Sequence, residues 1–517
     1  MTDFAQPYPQ TGDAAGPRTK GTLATVGADV IPSRRFLVPA VAALVILKFV
    51  NVFLAVPLAD EGYYWLWGKF PDWSYYDHPP LGGWVNGAAS LVLGDGLMTV
   101  RLVTLATFAG SLWVLAWWTR RLTPNLRGPD AFLAAAGVWL ASPWLMNFQS
   151  IAFHDHLLIF FGIVAAHCFG RLALTLDEAD GPRWGWLYAG CVAVGLAGLS
   201  KYSGVFLGLS FAAWVLLTAK GRGLLRSPHL WIGGALAVAM QTPVVAWNVA
   251  NDWPSFQYNL HDRIGDTHHA NVAERYYDFV KNFVLLLSPV LFVALMRFVF
   301  GRSAQGPAAA LQGIGRFAFI IPTAIFLVLC ASTSVLYYWN VIAIVFFLPV
   351  ALLFFRSAME VRLHMFWGIA FAAMALFNST LFPLTLLTGK SISDFNISHG
   401  LKKIAAIVEQ EEQRIGADMV VTTDYRTAAL MALTTKRTDI VHLGTREDMW
   451  DFWFDPALHK GEDAIVLAYD RFPETELITD VFETTEVIRE FTIERFGVPI
   501  QHYRLLHAEN YSGEGPQ

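Results

Sequence analysis

The residues of this chain best suited to chemistry are concentrated between Asp60 and Leu81, in the run DEGYYWLWGKFPDWSYYDHPPL. Two adjacent acids, Asp60 and Glu61, open it; Asp77-His78-Pro79-Pro80 closes it; eight aromatic residues, Tyr64 among them, lie between. A carboxylate that stays ionised and is aimed at an incoming hydroxyl can take its proton. An acid and a base set before two prolines form a rigid turn, because each proline fixes its own φ and pushes the preceding residue toward extended geometry. The alternative reading of Asp60-Glu61 is a helix start, since Asp is a good N-cap and acids favour a first helical turn.

Three further polar groups interrupt apolar sequence. His154-Asp155-His156 offers imidazole and carboxylate, which suit zinc, so a divalent cation is an open alternative there. Adjacent residues do not share a helix face, however, which favours Asp155 as a direct substrate contact and no metal. Ser200-Lys201-Tyr202-Ser203 places one ammonium in an otherwise apolar hairpin, either snorkelling to the interface or holding a phosphate as a point charge. The stretch from Trp247 to His269 is long, polar and anchored by aromatics; within it His261 and Arg263 are candidates, the latter for bidentate phosphate binding. Lys48 and Asn51 stand inside the first apolar run, where a charge reads either as functional or as half of an internal ion pair.

These groups must be positioned by membrane helices. The chain has 517 residues, 55% hydrophobic and 15% charged, whereas a soluble domain carries nearer a quarter charged residues. Eleven stretches approach the roughly 20 apolar residues that a bilayer core requires: 36–58, 97–118, 131–147, 157–173, 184–199, 202–218, 230–249, 279–300, 317–335, 338–355 and 363–385. Tyr and Trp at the density seen in 60–81 suit a membrane-water boundary, because each ring has an apolar body and a polar tip. The net charge of -5 is small and the basic residues are scattered, which gives no footprint for nucleic acid. Cys168, Cys191 and Cys330 lie in apolar runs and read as small hydrophobes, without disulfide or thiolate metal site.

Orientation follows from Lys and Arg, which accumulate on the cytoplasmic side. The N-terminal segment and alternate loops carry the basic groups, Arg34-Arg35, Arg120-Arg121, Arg171 and Arg183, Lys220 to Arg226, Arg297 to Arg316, and Arg356 to Arg362. The intervening loops, 59–96, 148–156, 200–201, 250–278 and 336–337, together with everything after about 386, then face outward. Every candidate site residue falls on that outer side. Residues 1–33 read as a disordered cytoplasmic tail and not as a cleaved signal, residues 34–389 as a transmembrane domain, and residues 390–517 as a small outer α/β domain with a loose end from about Glu509. Trp450, Phe452, Trp453 and Phe454 are either its core or a surface resting on the membrane. The chain contains neither a Walker loop nor a Rossmann fingerprint, so an ATP-driven pump has no support.

In this order, ADEGYYWLWGKFPDWSYYDHPPL (59–81), FHDHLL (153–158), GLSKYSG (198–204), PVVAWNVANDWPSF (243–256) and YYWN (337–340) resemble the bacterial GT-C glycosyltransferases of the family 39/83 group, which includes transferases that modify lipid A and is related to protein O-mannosyltransferases. The resemblance implies a mainly α, polytopic helical bundle of GT-C type with an extracytoplasmic C-terminal α/β domain, in the cytoplasmic (inner) membrane of a bacterium. It also implies inverting transfer of a sugar from a polyprenyl-phosphate carrier to an envelope acceptor, lipid A, core oligosaccharide or another glycoconjugate, without a nucleotide sugar and without a required cofactor. Asp60 matches the family's catalytic carboxylate, with Asp155 as the second catalytic candidate. Glu61, Tyr64, Asp77, His78, Lys201, Tyr202, His261 and Arg263 are the substrate-binding candidates, of which Lys201, Arg263 and His78 would face the lipid phosphate. Some relatives have lysine where His78 stands, and many have Pro-Asp where this chain has His154-Asp155. Two rivals are a transporter or flippase of lipid-linked sugars, which calls for a charged path through the bilayer, and a noncatalytic lipid-binding subunit.

Overall fold

The computed structural model describes residues 25–515 apart from 177, 263–270, 385, 387–395, 445 and 475, with the backbone alone at 261, 262 and 477. The chain is mainly helical. Its first nine α-helices are α1 (Arg34–Leu54), α2 (Ala59–Lys69), α3 (Leu81–Leu93), α4 (Leu97–Leu122), α5 (Gly128–Leu140), α6 (Pro143–Phe148), α7 (Asp155–Thr175), α8 (Trp184–Ser200) and α9 (Val205–Leu217). Among the described residues, six helices are long and apolar enough to cross a membrane: α1, α4, α7, Pro228–Ala250, Pro307–Leu329 and Ala358–Thr380. Two bent pairs make eight if each is one span: Tyr202–Leu217 with Ala219–Arg226, bent by 91°, and Val272–Leu287 with Pro289–Phe300, bent by 101°. The second bend falls at Ser288-Pro289, where Ser288 has φ 92° and the proline cannot donate to the preceding turn. Large apolar side chains such as Ile46, Trp231, Val238 and Phe366 stand exposed on these helices, a surface suited to lipid and costly in water.

Three expected segments differ from the sequence reading. Residues 338–355 do not form one α-helix but three short helical pieces, Tyr337–Asn340, Ile342–Val345 and Leu348–Phe354. Nearly every side chain there is buried, and irregular backbone is tolerated at membrane depth only where protein surrounds it. The stretch 131–147 breaks into α5 and α6 at Ser142-Pro143, because proline starts a helix far better than it continues one. Residues 59–96, expected as a loop, contain α2 and α3; both are too short to span and both carry site residues or their neighbours.

After residue 395 the chain forms an α/β unit. Its five-stranded sheet has the order β2-β1-β3-β5-β4, with β1 (Met419–Thr422), β2 (Ile440–His442), β3 (Ala464–Tyr469), β4 (Phe482–Arg495) and β5 (Val498–Tyr511). β1 is parallel to both β2 and β3, while β5 runs antiparallel to β3 and β4. β3, AIVLAY, is buried along its whole length, as an uninterrupted apolar run in a covered sheet should be. The hairpin between β4 and β5 turns at Phe496-Gly497, both with positive φ, the backbone a tight two-residue hairpin requires. The end of the chain is not loose from Glu509: Tyr511 is buried, its amide donates to the Glu462 carbonyl at 2.9 Å, and Ser512 donates to Val481 at 2.8 Å.

This unit packs on α2 through the helix Tyr425–Thr435. The two backbones come so close that a Cβ on Gly62 would lie 2.3 Å from the carbonyl oxygen of Ala429, so only glycine fits there. Tyr63 stacks flat on Trp450, with ring centroids 5.6 Å apart, and lies edge-on to Trp453. Phe452 packs against Trp247 and Tyr76. The aromatic run 450–454 is thus neither simply core nor a membrane-resting surface; much of it is the joint between the sheet unit and the helical bundle.

Candidate active site

Asp60 and Glu61 are consecutive on α2, about 100° apart around the helix, and they have different fates. Glu61 is completely buried with Arg101 of α4: Arg101 Nε donates to Oε1 at 2.8 Å and Nη2 to Oε2 at 2.6 Å. The same carboxylate accepts from Ala152 N at 3.0 Å and from Leu58 N at 3.1 Å, and Arg101 also donates to the carbonyls of Val52, Ala55 and Val56. Glu61 therefore caps and braces the start of α2; the structure does not bring it to the polar cavity that its neighbour lines, a correction to its place among the binding candidates. Asp60 turns the other way, into a polar cavity of about 200 Å³.

That cavity is lined by Asp60, Tyr63 and Tyr64 from α2, Asp77 and His78 from the double-proline turn, Phe153 and Asp155 at the start of α7, Lys201 at the end of α8, Tyr258, Tyr338, and Tyr425 and Arg446 from the sheet unit. α7 begins and α8 ends at the same end of their hairpin, which is why residues 46 positions apart can meet: Lys201 Nζ lies 2.9 Å from both Asp155 oxygens. The ammonium also sits 4.7 Å from the centre of the Tyr338 ring. Asp77 is held from two sides, by Tyr63 Oη at 2.8 Å and by the Arg446 guanidinium. Burial first, and then the carboxylates of Asp77 and Asp448, keep the Tyr63 phenol well above its usual range, so it remains a donor to Asp77. Burial followed by the charge of Asp60 raises the Tyr425 phenol in the same way.

The three residues of His154-Asp155-His156 separate as their helical spacing requires. His154 is wedged against Tyr64 and Trp67, with ring centroids 3.8 and 5.0 Å away, and burial, then Lys201 and His156, hold its imidazole well below the usual range. His156 Nδ1 meets Thr107 Oγ1 of α4 at 3.0 Å, and Asp155 takes Lys201. Among the described residues, no group of three His, Cys, Asp or Glu side chains could hold a metal.

Beyond His78 and Lys201 the polar cavity adjoins a largely apolar hollow of about 430 Å³, walled by Tyr202, Phe206, Phe256, Leu260, Phe326 and Trp339 among others. His78 and Lys201 belong to both hollows. Tyr202 and Phe256 also line a further apolar hollow of about 610 Å³ between α8, α9 and the helix Pro228–Ala239. A charged chamber thus meets an oily groove at one imidazole and one ammonium.

The structure of ArnT from Cupriavidus metallidurans bound to undecaprenyl phosphate superposes with a TM-score of 0.61 at 17% identity, covering 94% of this chain and 100% of that one. The chain shares the fold of ArnT. The apo form of the same ArnT agrees, with a TM-score of 0.58 over 93% of this chain and 99% of that one, at 17% identity. In sequence, residues 77–247 match the dolichyl-phosphate-mannose-protein mannosyltransferase family, an interval that contains Asp77, His78, Asp155, Lys201 and Tyr202. A lipid A galacturonosyltransferase, RgtD of Rhizobium johnstonii, is 29% identical over 203 residues, 37% of this chain. The match spans 38% of the length of that curated relative.

On this fold, six candidates read from the sequence line one cavity: Asp60, Tyr64, Asp77, His78, Asp155 and Lys201. Tyr202 lies on the apolar side, its hydroxyl 2.6 Å from Ser255 Oγ. The His261 side chain and Arg263 lie outside the described residues. Among the described residues, Lys48 is neither in the cavity nor in an ion pair; it donates to the Gln149 carbonyl and to Ser150 Oγ at 3.0 Å, tying α1 to the segment that leads into α7. Sequence reasoning missed Arg446 and Tyr425. Both sit in an ordinary-looking soluble segment, and only the docking of that unit on α2 carries them into the cavity.

Proposed function

We propose that this chain is an integral-membrane glycosyltransferase that moves a sugar from a polyprenyl-phosphate carrier to an envelope acceptor such as lipid A or core oligosaccharide. The observation that carries this reading is the junction at His78 and Lys201, the two residues that line both a carboxylate-bearing chamber and an apolar groove. A prenyl chain fits the groove, its phosphate the junction, and its sugar the chamber. ArnT's complex with undecaprenyl phosphate and RgtD's action on lipid A support the choice of donor and acceptor class.

In the reaction, the acceptor hydroxyl attacks the anomeric carbon from the face opposite the phosphate. Asp60 accepts the hydroxyl proton, the new glycosidic C–O bond forms, and the bond from the anomeric carbon to the phosphate oxygen breaks, with inversion. The lipid phosphate leaves with that electron pair. Lys201 and His78, with Arg263, neutralise the charge as it grows, and Asp155 holds the Lys201 ammonium in place. No cofactor enters these steps.

The chamber belongs at the outer face of the bacterial inner membrane in this reading, with residues 1–33 in the cytoplasm, 34–389 as the catalytic membrane domain and 390–517 in the periplasm. Mass spectrometry of envelope glycolipids from a deletion strain, complemented with wild type or with Asp60→Asn, tests the proposal. One sugar modification should vanish on deletion, return with wild type and stay absent with Asp60→Asn. Full restoration by Asp60→Asn would overturn the enzymatic reading and favour a noncatalytic lipid-binding subunit, whereas accumulation of carrier-linked sugar on the cytoplasmic leaflet would favour a flippase.

A further inference from the structure

Arg446 reaches the polar cavity from a loop that follows β2, far from every membrane helix in sequence. Its guanidinium is aimed from behind. Nη2 is engaged by Asp77 and by the Tyr258 hydroxyl at 3.4 Å, and the Tyr425 ring lies 4.2 Å from the guanidinium carbon. Nη1 has no hydrogen-bond partner among the described residues. About a third of the side chain, 32%, remains accessible. Arg446 therefore lines the cavity as a fixed cation, with one buried N–H group whose hydrogen-bonding need no described residue meets.

Its place within the cavity indicates what it meets. The apolar groove touches the polar cavity at His78 and Lys201, and Arg446 is not among the groove's residues. A carrier threaded through the groove presents its phosphate at that junction and its sugar beyond it. A guanidinium offers paired N–H groups in a planar fork, which fits a carboxylate or two neighbouring sugar oxygens better than a single ammonium does.

We propose that Arg446 is a specificity-determining residue that binds oxygens of the transferred sugar, so that the C-terminal sheet unit forms part of the donor site. This rests on the reading of the cavity as a donor site for a polyprenyl-phosphate sugar. A uronosyl carboxylate is the strongest match to the guanidinium.

The test measures binding of three probes to the full-length protein in lipid nanodiscs: undecaprenyl phosphate, the same carrier loaded with galacturonic acid, and the same carrier loaded with galactose. Wild type should bind at least one loaded carrier about tenfold more tightly than the bare one, with galacturonate ahead. Arg446→Ala should abolish that sugar-dependent gain while its affinity for undecaprenyl phosphate stays close to wild type; Arg446→Lys, which keeps a cation beside Asp77, should stay folded and retain part of the gain. The proposal is overturned if neither sugar tightens binding, if Arg446→Ala keeps the gain, or if it weakens all three probes equally, as a merely structural tether would. Transfer to an acceptor is read separately. Wild type that binds loaded carrier through Arg446 yet transfers nothing would sink the enzymatic reading and leave this one standing.

Discussion

Lys201 and Asp155 form a two-pronged ion pair, 2.9 Å from the ammonium to each carboxylate oxygen, in the buried wall between the charged chamber and the oily groove. The pair has only small residual exposure, 8% for the lysine side chain and 2% for the aspartate. In the proposed reaction such a cation would lean toward an arriving phosphate without leaving its partner, a preorganised charge as well as a structural clasp.

Breaking that pair from one side should hurt more than removing both charges. Asp155→Asn and Lys201→Met each leave a buried charge uncompensated, and each is expected to cost about 3–5 kcal/mol of stability. The double variant should recover much of that loss while remaining inactive. Thermal melts with a double-mutant cycle measure it, and additivity of the two single effects would contradict the pairing.

Asp60→Asn is isosteric and should leave folding intact. Transfer is expected to fall about 10²–10⁴-fold, the usual contribution of general base catalysis. Binding of undecaprenyl phosphate, whose phosphate meets Lys201 and His78 in this scheme, should be little changed. A turnover assay beside a carrier-binding assay separates the two quantities. Equal losses in both would remove Asp60 from the role of base.

Glu61→Gln should behave differently from its neighbour. It removes the charge opposite Arg101, which is fully buried, and a loss of about 3–5 kcal/mol is expected. Protein that still folds should keep substantial activity, because Glu61 does not reach the cavity. Melting temperature and specific activity per folded molecule check this, and a folded but inactive Glu61→Gln protein would restore Glu61 to the binding set.

Gly62→Ala probes the joint between bundle and sheet unit. The added methyl would meet the Ala429 backbone, which cannot swing aside as a side chain can. A cost of about 1–3 kcal/mol is expected from such overpacking. The displaced unit should also carry Tyr425 and Arg446 out of register, lowering kcat/KM. Wild-type stability and kinetics in this variant would show that the contact is looser than described.

His399 gives the C-terminal unit a pH dependence. Burial, and then the charge of Arg495, pull its imidazole down to about 4. In the unfolded chain it titrates near ~6.5. Above that value both states are neutral and the residue contributes no slope. Between about 6.5 and 4 the unfolded chain binds a proton that the folded one refuses, so stability falls as pH is lowered through that window and levels off below it. His399→Gln should flatten this part of a melting-temperature profile, and an unchanged profile would count against the assignment.

Several cavity-lining residues were legible before any coordinates because charge inside apolar sequence is costly and stands out. Asp155 and Lys201 interrupt long hydrophobic runs, and the DHPP turn carries its own rigidity in two prolines. Glu61 could not be told from Asp60 by the same logic. One residue along a helix rotates a side chain by about 100°, and which acid faces the chamber depends on where α4 presents Arg101. At His154-Asp155-His156 the same geometry sends each side chain to a different partner.

The sequence by itself determined the membrane-embedded helical class, the existence of a separate α/β segment after the last apolar run, and the polar residues set into hydrophobic surroundings. Each of these is a local property: run length, periodicity, and the cost of a charge among apolar neighbours. Only the tertiary structure decided that residues 338–355 fold into short buried turns, that Glu61 braces while Asp60 faces the cavity, and that the sheet unit supplies Arg446 and Tyr425 to it. Those outcomes depend on contacts between segments hundreds of residues apart, where close packing at Gly62 and the stacking of Tyr63 on Trp450 set which surfaces meet. An arginine in a soluble loop has no local feature that marks it for a membrane cavity; the docking of one domain on another puts it there.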